Sequence, residues 1–310
     1  MGLGSMKYVE VVSVGDLGLM SIMKVDKLTF AIERQNVKDF VMEGGWGAVN
    51  VAVGLTRLET PAGLIGCIGR DLIGQGFLSL MKEEGVDISR IKIVDKGTTG
   101  NRIVVVDLKG RSLELIYKGT NEKWDESIVD EEYISNSRAL YLVGNVFTDG
   151  RRSLAFKLLR EAKKLGKTVF FNIGSTFLST GSSALSNLRS LIDYWLMTED
   201  QAIELLGTLS QSALRFFLKK MEGKAIFIKL NTEGTYVFAK NISQKLPLQK
   251  VSIKDTIGLD EAYDTGFIYG ILNGYDLEGA AKIANLVASY KLEKGGAWSL
   301  PRYEEISQKL

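Results

Sequence analysis

The sequence predicts an α/β fold in which a mostly parallel sheet is flanked by helices and carries a small additional β-sheet. From about residue 139 onward, apolar strand patterns alternate with amphipathic helix patterns, which is typical of a parallel sheet covered on both faces. Nearer the N-terminus, residues 8–14 and 63–69 are apolar runs bounded by glycine, as buried strands are. Two more polar β segments, at about 17–43 and 98–118, interrupt this rhythm. We expect them to form a small lid over the carboxyl ends of the main strands, where α/β sheets bind ligands.

The elements follow one another in a single predicted domain, residues 6–310. Residues 50–58 have helical apolar spacing behind a glycine turn, and residues 72–84 form a helix pattern that Asp71 begins and Gly85 ends. Lys109-Gly110 predicts a hairpin. In the second half, the predicted strands are 140–143, 168–171, 194–196, 225–229 and 235–239, and the predicted helices are 153–164, 199–207, 210–221 and 278–292. Thr198 is the predicted N-cap of the helix 199–207.

Composition restricts the chemistry. The 310 residues contain no histidine, which excludes His-based acid–base catalysis, Ser-His-Asp triads and ordinary zinc sites. Proton transfer therefore falls to Asp, Glu, Lys, Tyr or the single cysteine. The net charge of +2, without a long block of like charge, argues against nucleic acid or an anionic membrane as a partner.

The expected location is the cytoplasm. The first apolar run is short and carries Glu10 and Asp16, unlike a secretory signal. Residues 169–188 lack charge but are rich in polar and small residues, so they do not read as a membrane span. Cys67 lies in an apolar run and is interpreted as a core residue of a protein in a reducing compartment.

A glycine-rich turn, residues 44–50, is the first candidate binding segment. Gly44 and Gly45 allow a ligand to approach the backbone, and Asn50 offers donors and acceptors to hydroxyl groups. The alternative is a tight packing turn. Trp46 either stacks on a sugar or base or packs between elements, and the pattern does not separate these options.

The segment 255–267 is the most informative part of the sequence. It reads as a strand end, a glycine turn at Gly258 and the first turns of a helix. A helix N-terminus presents unpaired N–H groups and a positive dipole end, which suits a phosphate. Asp260 and Glu261 crowd the same turn, where an acid can accept a proton from a substrate hydroxyl or support a metal. The alternative is an acidic helix start favoured by the dipole alone.

Taken together, the ordered motifs resemble the ribokinase or PfkB-type carbohydrate kinases along nearly the whole chain. The resemblance rests on the order and spacing of the set. Its members are Gly15-Asp16, Gly44-Gly45 with Asn50, Gly66 to Gly74, Gly85-Val86-Asp87, Thr99-Gly100, Gly234, Asp255-Thr256 with Gly258, Ala284-Asn285, Gly296-Ala297 and Leu300-Pro301.

This resemblance implies a Rossmann-like core, a β lid that often dimerises, and Mg-ATP phosphorylation of a sugar or nucleoside hydroxymethyl. It assigns catalysis to Gly258, Asp260 and Glu261, with Glu261 at the position of the base. It assigns the sugar or nucleoside to Asp16, Gly44, Gly45 and Asn50. It places ATP near Asn231, Gly234, Asp255, Thr256 and Asn285. A homodimer through the lid is the expected assembly.

The sequence departs from the family pattern at four functional sites. Where the family has Gly-Ala-Gly-Asp, this chain reads Gly-Leu-Asp-Glu at 258–261. The Asn and Glu with which the family helps to hold Mg²⁺ are replaced by Thr198 and Gln201, so the resemblance assigns no metal ligand in this chain. A substrate-binding Asp falls near Met20, and a glycine on the nucleotide side falls on Asn231. The alternative to a kinase is therefore a metabolite- or nucleotide-binding protein that has lost phosphotransfer.

Overall fold

The computed structural model describes residues 8–29 and 34–310. In chain order the strands are β1 (Val11–Val14), β2 (Gly18–Val25), β3 (Asp39–Gly44), β4 (Ala62–Gly69), β5 (Ile91–Val94), β6 (Gly100–Asp107), β7 (Ser112–Tyr117), β8 (Ala139–Val143), β9 (Thr168–Asn172), β10 (Tyr194–Thr198), β11 (Ala225–Lys229), β12 (Gly234–Ala239) and β13 (Ile242–Pro247). The helices are α1 (Gly47–Arg57), α2 (Leu72–Glu83), α3 (Glu131–Ser135), α4 (Arg152–Lys164), α5 (Ser182–Ser186), α6 (Glu199–Leu206), α7 (Gln211–Met221), α8 (Leu259–Leu272), α9 (Leu277–Lys294) and α10 (Tyr303–Ile306).

A large sheet forms the centre of the molecule, with strand order β13-β12-β11-β10-β9-β8-β1-β4-β5. The strands from β11 to β5 run parallel to their neighbours, and β12 and β13 are added antiparallel at one edge. Strands such as β4 and β11 are buried along their whole length, because apolar cores cover both faces of the sheet. The predicted α/β fold class is confirmed.

Short polar signals in the sequence set the helix starts. The Asp71 carboxylate accepts a hydrogen bond from the Gly74 N–H at 2.8 Å and begins α2. Thr198 and Gln201 form a reciprocal capping box at α6. The two predicted N-caps, Asp71 and Thr198, are therefore confirmed, and each fixes where its helix leaves the sheet.

Helices α8 and α9 pack against each other with almost no space between their backbones. A Cβ atom on Gly266 would lie 2.6 Å from Ala284 Cα, and one on Gly270 would lie 2.6 Å from Ala280 Cα. These glycines allow the close packing, which fixes the start of α8 relative to α9.

The smaller sheet, called the small sheet below, has strand order β3-β2-β6-β7. The predicted hairpin is confirmed, since β6 and β7 pair antiparallel on either side of Lys109-Gly110. Strand β2 pairs parallel with β6, which places Met20 beside Arg102. Residues 30–33 of the predicted lid segment 17–43 lie outside the described residues.

Among the helices of the described ranges, none combines the length and the apolar character that a membrane crossing requires.

Candidate functional site

The glycine turn before α8 has a conformation that its sequence requires. Gly258 is the N-cap of α8 with φ of 79°, in the left-handed region that favours glycine. A Cβ atom there would lie 2.9 Å from Ala297 Cα and 3.0 Å from Ala297 O. The Leu259 N–H donates to the Thr256 carbonyl at 3.1 Å, whereas the Asp260 and Glu261 N–H groups have no backbone acceptor among the described residues and remain available to a ligand.

Asp255 holds the turn from behind. Its Oδ1 accepts hydrogen bonds from the Ile257 N–H at 3.1 Å and from Lys291 Nζ at 2.5 Å, while its Oδ2 accepts from the Gly296 N–H at 2.8 Å. Lys291 Nζ also donates to the Asp255 carbonyl at 3.0 Å. Burial alone would raise the pKa of Asp255, but the Lys291 ammonium and these N–H groups lower it below its usual value.

A cleft with a volume of about 760 Å³, called the main cleft, lies between the small sheet and the turn. Its walls include Met20, Asn50 and Arg102 on one side and the run from Lys254 to Glu261 on the other. The predicted residues Asp255, Thr256, Gly258, Asp260 and Glu261 all lie in this wall.

A second space, called the strand-end cavity, has a volume of about 220 Å³. It lies at the carboxyl ends of β8 to β11, next to Asn145, Asn172, Thr198 and Lys229. It shares Arg102, Glu114, Asp260 and Glu261 with the main cleft, so these four residues mark the junction of the two spaces.

Glu261 lies at this junction with an altered acidity. Burial raises the pKa of its carboxyl above the ordinary 4.5, and the neighbouring Asp260 raises it further. Arg102 and Lys229 act in the opposite direction. A carboxylate of raised pKa is a stronger base than an exposed one.

The residues predicted to bind the sugar or nucleoside do not all meet in the main cleft. Asn50 lines it, and its Oδ1 accepts a hydrogen bond from Trp298 Nε1 at 3.0 Å. Asp16 is buried in an ion pair with Arg151, 2.5 Å from Oδ1 to Nη1, and lines neither the main cleft nor the strand-end cavity.

Gly44 and Gly45 end strand β3 and its turn. A Cβ atom on Gly44 would lie 2.2 Å from the Trp298 ring, and one on Gly45 would lie 2.8 Å from Met20 Cβ. Gly44 therefore allows the small sheet to pack closely on Trp298, and Gly45 allows the turn to pack closely on β2 of the same sheet, as the packing alternative for this turn expects. Trp46 is 7% exposed and borders the strand-end cavity, so it packs and also faces that space.

Three of the residues predicted to bind ATP converge at the β12–β13 edge. Gly234 pairs with Pro247, and Asn285 Nδ2 donates to the Leu246 carbonyl at 3.0 Å. Asn231 has φ of 51°, a left-handed conformation that asparagine tolerates, so it preserves the turn where the family has glycine.

A third space, called the α9 cavity, has a volume of about 560 Å³ beside these residues. It is lined by Asn285, Ser289, Leu246 and Ile283, among others. Asn285 Oδ1 and Ser289 Oγ are buried without a hydrogen-bond partner among the described residues. Since unpaired buried polar atoms are costly, they indicate a place that a polar ligand can complete.

Several residues around the site were not singled out from the sequence. Lys229, Asn172, Arg102 and Glu43 belong to this group. Lys229 and Asn172 are polar residues at the carboxyl ends of strands with apolar interiors, and that position was the available signal. Glu43, on β3, accepts hydrogen bonds from the Ala297 and Trp298 N–H groups and so ties the small sheet to the loop beside the turn.

A preformed metal site is not visible in residues 8–29 and 34–310, which contain no group of three or more His, Cys, Asp or Glu arranged to hold an ion. Thr198 Oγ1 and Gln201 Oε1 accept the capping hydrogen bonds of α6 and are not carboxylates. Asp260, Glu261 and Glu114 are the carboxylates that adjoin both spaces, and Glu114 is paired with Arg102.

The large parallel sheet with its antiparallel edge and the small sheet beside it form a ribokinase-like α/β fold, and solved structures share this fold. The ribokinase of Arabidopsis thaliana, solved with ribose and ATP, superposes with a TM-score of 0.83 at 21% identity, covering 97% of this chain and 98% of that one. The adenosine kinase of Sinorhizobium meliloti gives 0.85 at 20%, covering 98% and 99%.

The chain belongs to the pfkB family of carbohydrate kinases, whose model matches residues 9–302. One relative, the ATP-dependent ribose-1-phosphate kinase of Halopiger xanaduensis, is 28% identical over 96% of this chain and 97% of its own length. Another, the 5-dehydro-2-deoxygluconokinase of Clostridium botulinum, is 28% identical over 85% of this chain and 83% of its own length.

Proposed function

We propose that this protein transfers a phosphoryl group from ATP to a hydroxymethyl of a small sugar or nucleoside-like molecule. The observation that carries the proposal is the position of Glu261. It adjoins the main cleft and the strand-end cavity, next to the open N–H groups of α8. Such a position suits a base that lies between a phosphate donor and an acceptor.

We assign roles to Glu261, to the turn before α8 and to the residues predicted to bind the acceptor. Glu261 accepts the proton of the acceptor hydroxyl, and its raised pKa makes it a better base. The N–H groups that follow Gly258 donate to the phosphoryl oxygens as negative charge develops. Asn50 positions the acceptor in the main cleft. Asp16, Gly44 and Gly45 remain part of the proposed binding region. Their proposed role is to support its shape, Asp16 through its ion pair with Arg151 and the glycines through close packing.

We place the nucleotide between the strand-end cavity and the α9 cavity. The unpaired Asn285 Oδ1 and Ser289 Oγ suit the polar edge of a base, and the turn at Asn231 and Gly234 borders the same region. Asp255 and Thr256 line the main cleft, so their proposed contact with the nucleotide is at its phosphate end.

Mg²⁺ is part of the same proposal. A related fold from Escherichia coli, described as ribokinase II, was solved with ATP and Mg²⁺. Mg²⁺ usually takes one or two protein carboxylates and completes its shell with phosphates and water, so Asp260 fits it without a larger cluster and Glu261 stays available as the base. When bound, the ion neutralises phosphate charge.

The acceptor class follows from the relatives only as a proposal. The two relatives are named for phosphorylation of ribose 1-phosphate and of 5-dehydro-2-deoxygluconate, which are both acidic sugars. Lys254 lies on the main cleft and suits an acidic substituent, whereas Lys24 and Arg102, which also line the cleft, are paired with Asp39 and Glu114. Met20, which also lines the cleft, favours a substrate with fewer hydroxyls or a nucleoside-like one.

The test is ATP-dependent turnover against a panel of sugars, sugar phosphates, sugar acids and nucleosides. Glu261→Gln should lower kcat by about a hundredfold or more if Glu261 is the base, with little change in nucleotide affinity. Full activity of Glu261→Gln would refute its role as the base. Absence of turnover across the panel, with nucleotide binding retained, would favour the second function below.

The second candidate is a binding protein that has lost phosphotransfer. Asp260 favours it, because a carboxylate borders the space where phosphate would lie. Calorimetry with MgATP on the wild type and on Asp260→Gly tests whether this acid blocks the phosphate site. Binding by the wild type means that the acidic turn tolerates the nucleotide, and turnover on the panel then decides between the two functions. Binding that appears only in Asp260→Gly means that this acid has closed the phosphate site, which favours the binding protein.

We also propose a homodimer through the small sheet and a cytoplasmic location. The outer strands of this sheet expose apolar side chains, with Phe40 51% and Met42 50% exposed on β3 and Leu115 53% and Ile116 55% exposed on β7. Exposed apolar edge strands favour association. Light scattering should find a dimer that Leu115→Lys weakens, and a monomeric wild type at micromolar concentration would refute it.

A further inference from the structure

Lys229 is a buried charge that the proposed roles above leave unused. It is the last residue of β11, a strand buried along its whole length, and its side chain is 1% exposed. Its neighbours across the sheet are Thr198 on β10 and Thr235 on β12. It lines the strand-end cavity together with Asp260 and Glu261. A lysine is rarely buried in this way unless its charge has a partner or a task.

Asp264 holds this ammonium in place. Asp264 lies on α8, one turn after Asp260, and its Oδ1 is 3.0 Å from Lys229 Nζ. Its Oδ2 accepts hydrogen bonds from the Tyr141 hydroxyl at 2.9 Å and from Asn172 Nδ2 at 2.5 Å. These contacts fix the carboxylate that pairs with the ammonium.

The pair is poorly explained as a stability device. Two buried charges lose their hydration, and a well-packed apolar pair of similar volume is often as stable or more stable. A lysine ammonium has three N–H donors, and across the described parts of the chain Asp264 is its one ion-pair partner. The ammonium therefore retains donor capacity at the wall of the strand-end cavity.

Of the two cations that line the strand-end cavity among the described residues, Arg102 and Lys229, Lys229 is the one available to an anion. Arg102 is paired with Glu114 within the small sheet. Burial opposes the charge of Lys229, but Asp264, Asp260 and Glu261 outweigh it and raise the pKa of Lys229, so the side chain is an ammonium at neutral pH. It is thus a fixed cation beside the acids that would repel a phosphate.

We propose that Lys229 is a catalytic residue whose ammonium, held by Asp264, contacts the oxygens of the phosphoryl group in transfer. This inference rests on the proposed kinase function. In that step the bond between the γ-phosphorus and the bridging oxygen breaks, and the nucleoside diphosphate leaves with the electron pair. The acceptor oxygen forms the new bond to phosphorus, and its proton goes to Glu261. The ammonium offsets negative charge that Asp260 and Glu261 would otherwise increase.

The experiment compares Lys229→Met with Lys229→Arg in steady-state kinetics with MgATP and the best acceptor of the panel. Lys229→Met should lower kcat at least a hundredfold, with the KM of the acceptor changed less than threefold. Lys229→Arg should recover at least tenfold of that loss, because it restores a cation. The control is Lys224→Met, which removes an exposed lysine just before the same strand and should change kcat less than twofold. A kcat for Lys229→Met within threefold of wild type overturns the proposal.

Two measurements keep the test decisive if folding or turnover fails. Lys229→Met leaves Asp264 unpaired, so the double variant Lys229→Met/Asp264→Asn removes both charges and should recover thermal stability while kcat stays low. If the wild type turns over no acceptor, the proposed function fails, and calorimetry with ATP and AMP then tests the phosphate contact alone. The double variant should lose at least tenfold in affinity for ATP and less than twofold for AMP. Equal losses for both nucleotides overturn the proposal.

Discussion

Replacing Lys291 with methionine should loosen the glycine turn and lower the stability of the whole protein. The side chain of Lys291 is fully buried, and its ammonium donates to the carboxylate and to the carbonyl of Asp255. Methionine has nearly the same length without the charge. Lys291→Met therefore removes both contacts and leaves the Asp255 carboxylate with only its backbone donors.

The expected loss of unfolding free energy follows from the burial of the Lys291 ammonium and the Asp255 carboxylate. Removing one partner of a buried ion pair costs about 3–5 kcal/mol. The Asp255 side chain is 23% exposed, so water recovers part of this loss, and we expect about 2–3 kcal/mol. With an unfolding entropy of about 2 cal/mol/K per residue, a chain of 310 residues should lose about 3–5 °C in Tm.

The assay is thermal unfolding, monitored by calorimetry or by circular dichroism. The matched control is Lys282→Met on the same helix, because the side chain of Lys282 is 64% exposed and its surface pair with Glu278 contributes little. The control should change Tm by less than about 1 °C. A Lys291→Met variant that melts within 1 °C of wild type would refute the reasoning. A double variant with Asp255→Asn should recover part of the loss, since no carboxylate is then left unpaired.

Three further predictions concern single side chains. The raised pKa of Glu261 means that this carboxyl contributes stability below its ordinary value of 4.5 and loses it as pH rises through the raised pKa. Relative to Glu261→Gln, the wild type should therefore lose Tm from about pH 4.5 upward, and a Tm difference that is constant between pH 4.5 and 8 would contradict this. Gly258→Ala should cost about 1–2 kcal/mol from its left-handed conformation and more from its contact with Ala297, measured by urea unfolding. Gly207→Ala, at φ of 74° in open space, is its control and should show the conformational cost alone. Burial raises the pKa of Cys67 to about 12, so Ellman's reagent at pH 8 should label it only on unfolding, and rapid stoichiometric labelling of the native protein would contradict the burial.

Local signals in the sequence predicted most of the fold. The alternation of strands and helices after residue 139, the caps at Asp71 and Thr198 and the hairpin at Lys109-Gly110 were all identified correctly. Each depends on residues close together in the chain, through backbone conformation or through periodic burial. The antiparallel edge strand β13, Ile242–Pro247, was not predicted, because its exposed polar residues weaken the apolar pattern.

The candidate site was predictable only in part. The turn at Gly258 with Asp260 and Glu261 carries a local signature, and the structure places all three in one cleft. The partners of these residues carry no such signature. The resemblance assigned Asp16 to the substrate, and the structure adds a buried ion pair between Asp16 and Arg151, 135 residues away, that no local pattern indicates. Asp16 and Glu261 both match the family motifs, but Glu261 lines the cleft whereas Asp16 is held in a buried ion pair.

The sequence by itself determined the order of the elements, the helix starts, the glycine turn and the absence of histidine chemistry. These properties belong to neighbouring residues or to composition, so no long-range information is needed. Tertiary structure alone decided that Lys229 and Asp264 meet beneath Glu261, and that Lys291 supports the turn through Asp255. Such ion pairs depend on how strands and helices pack against each other. Burial and the distance between groups that are far apart in the chain set the interaction energy and the pKa of each charged side chain.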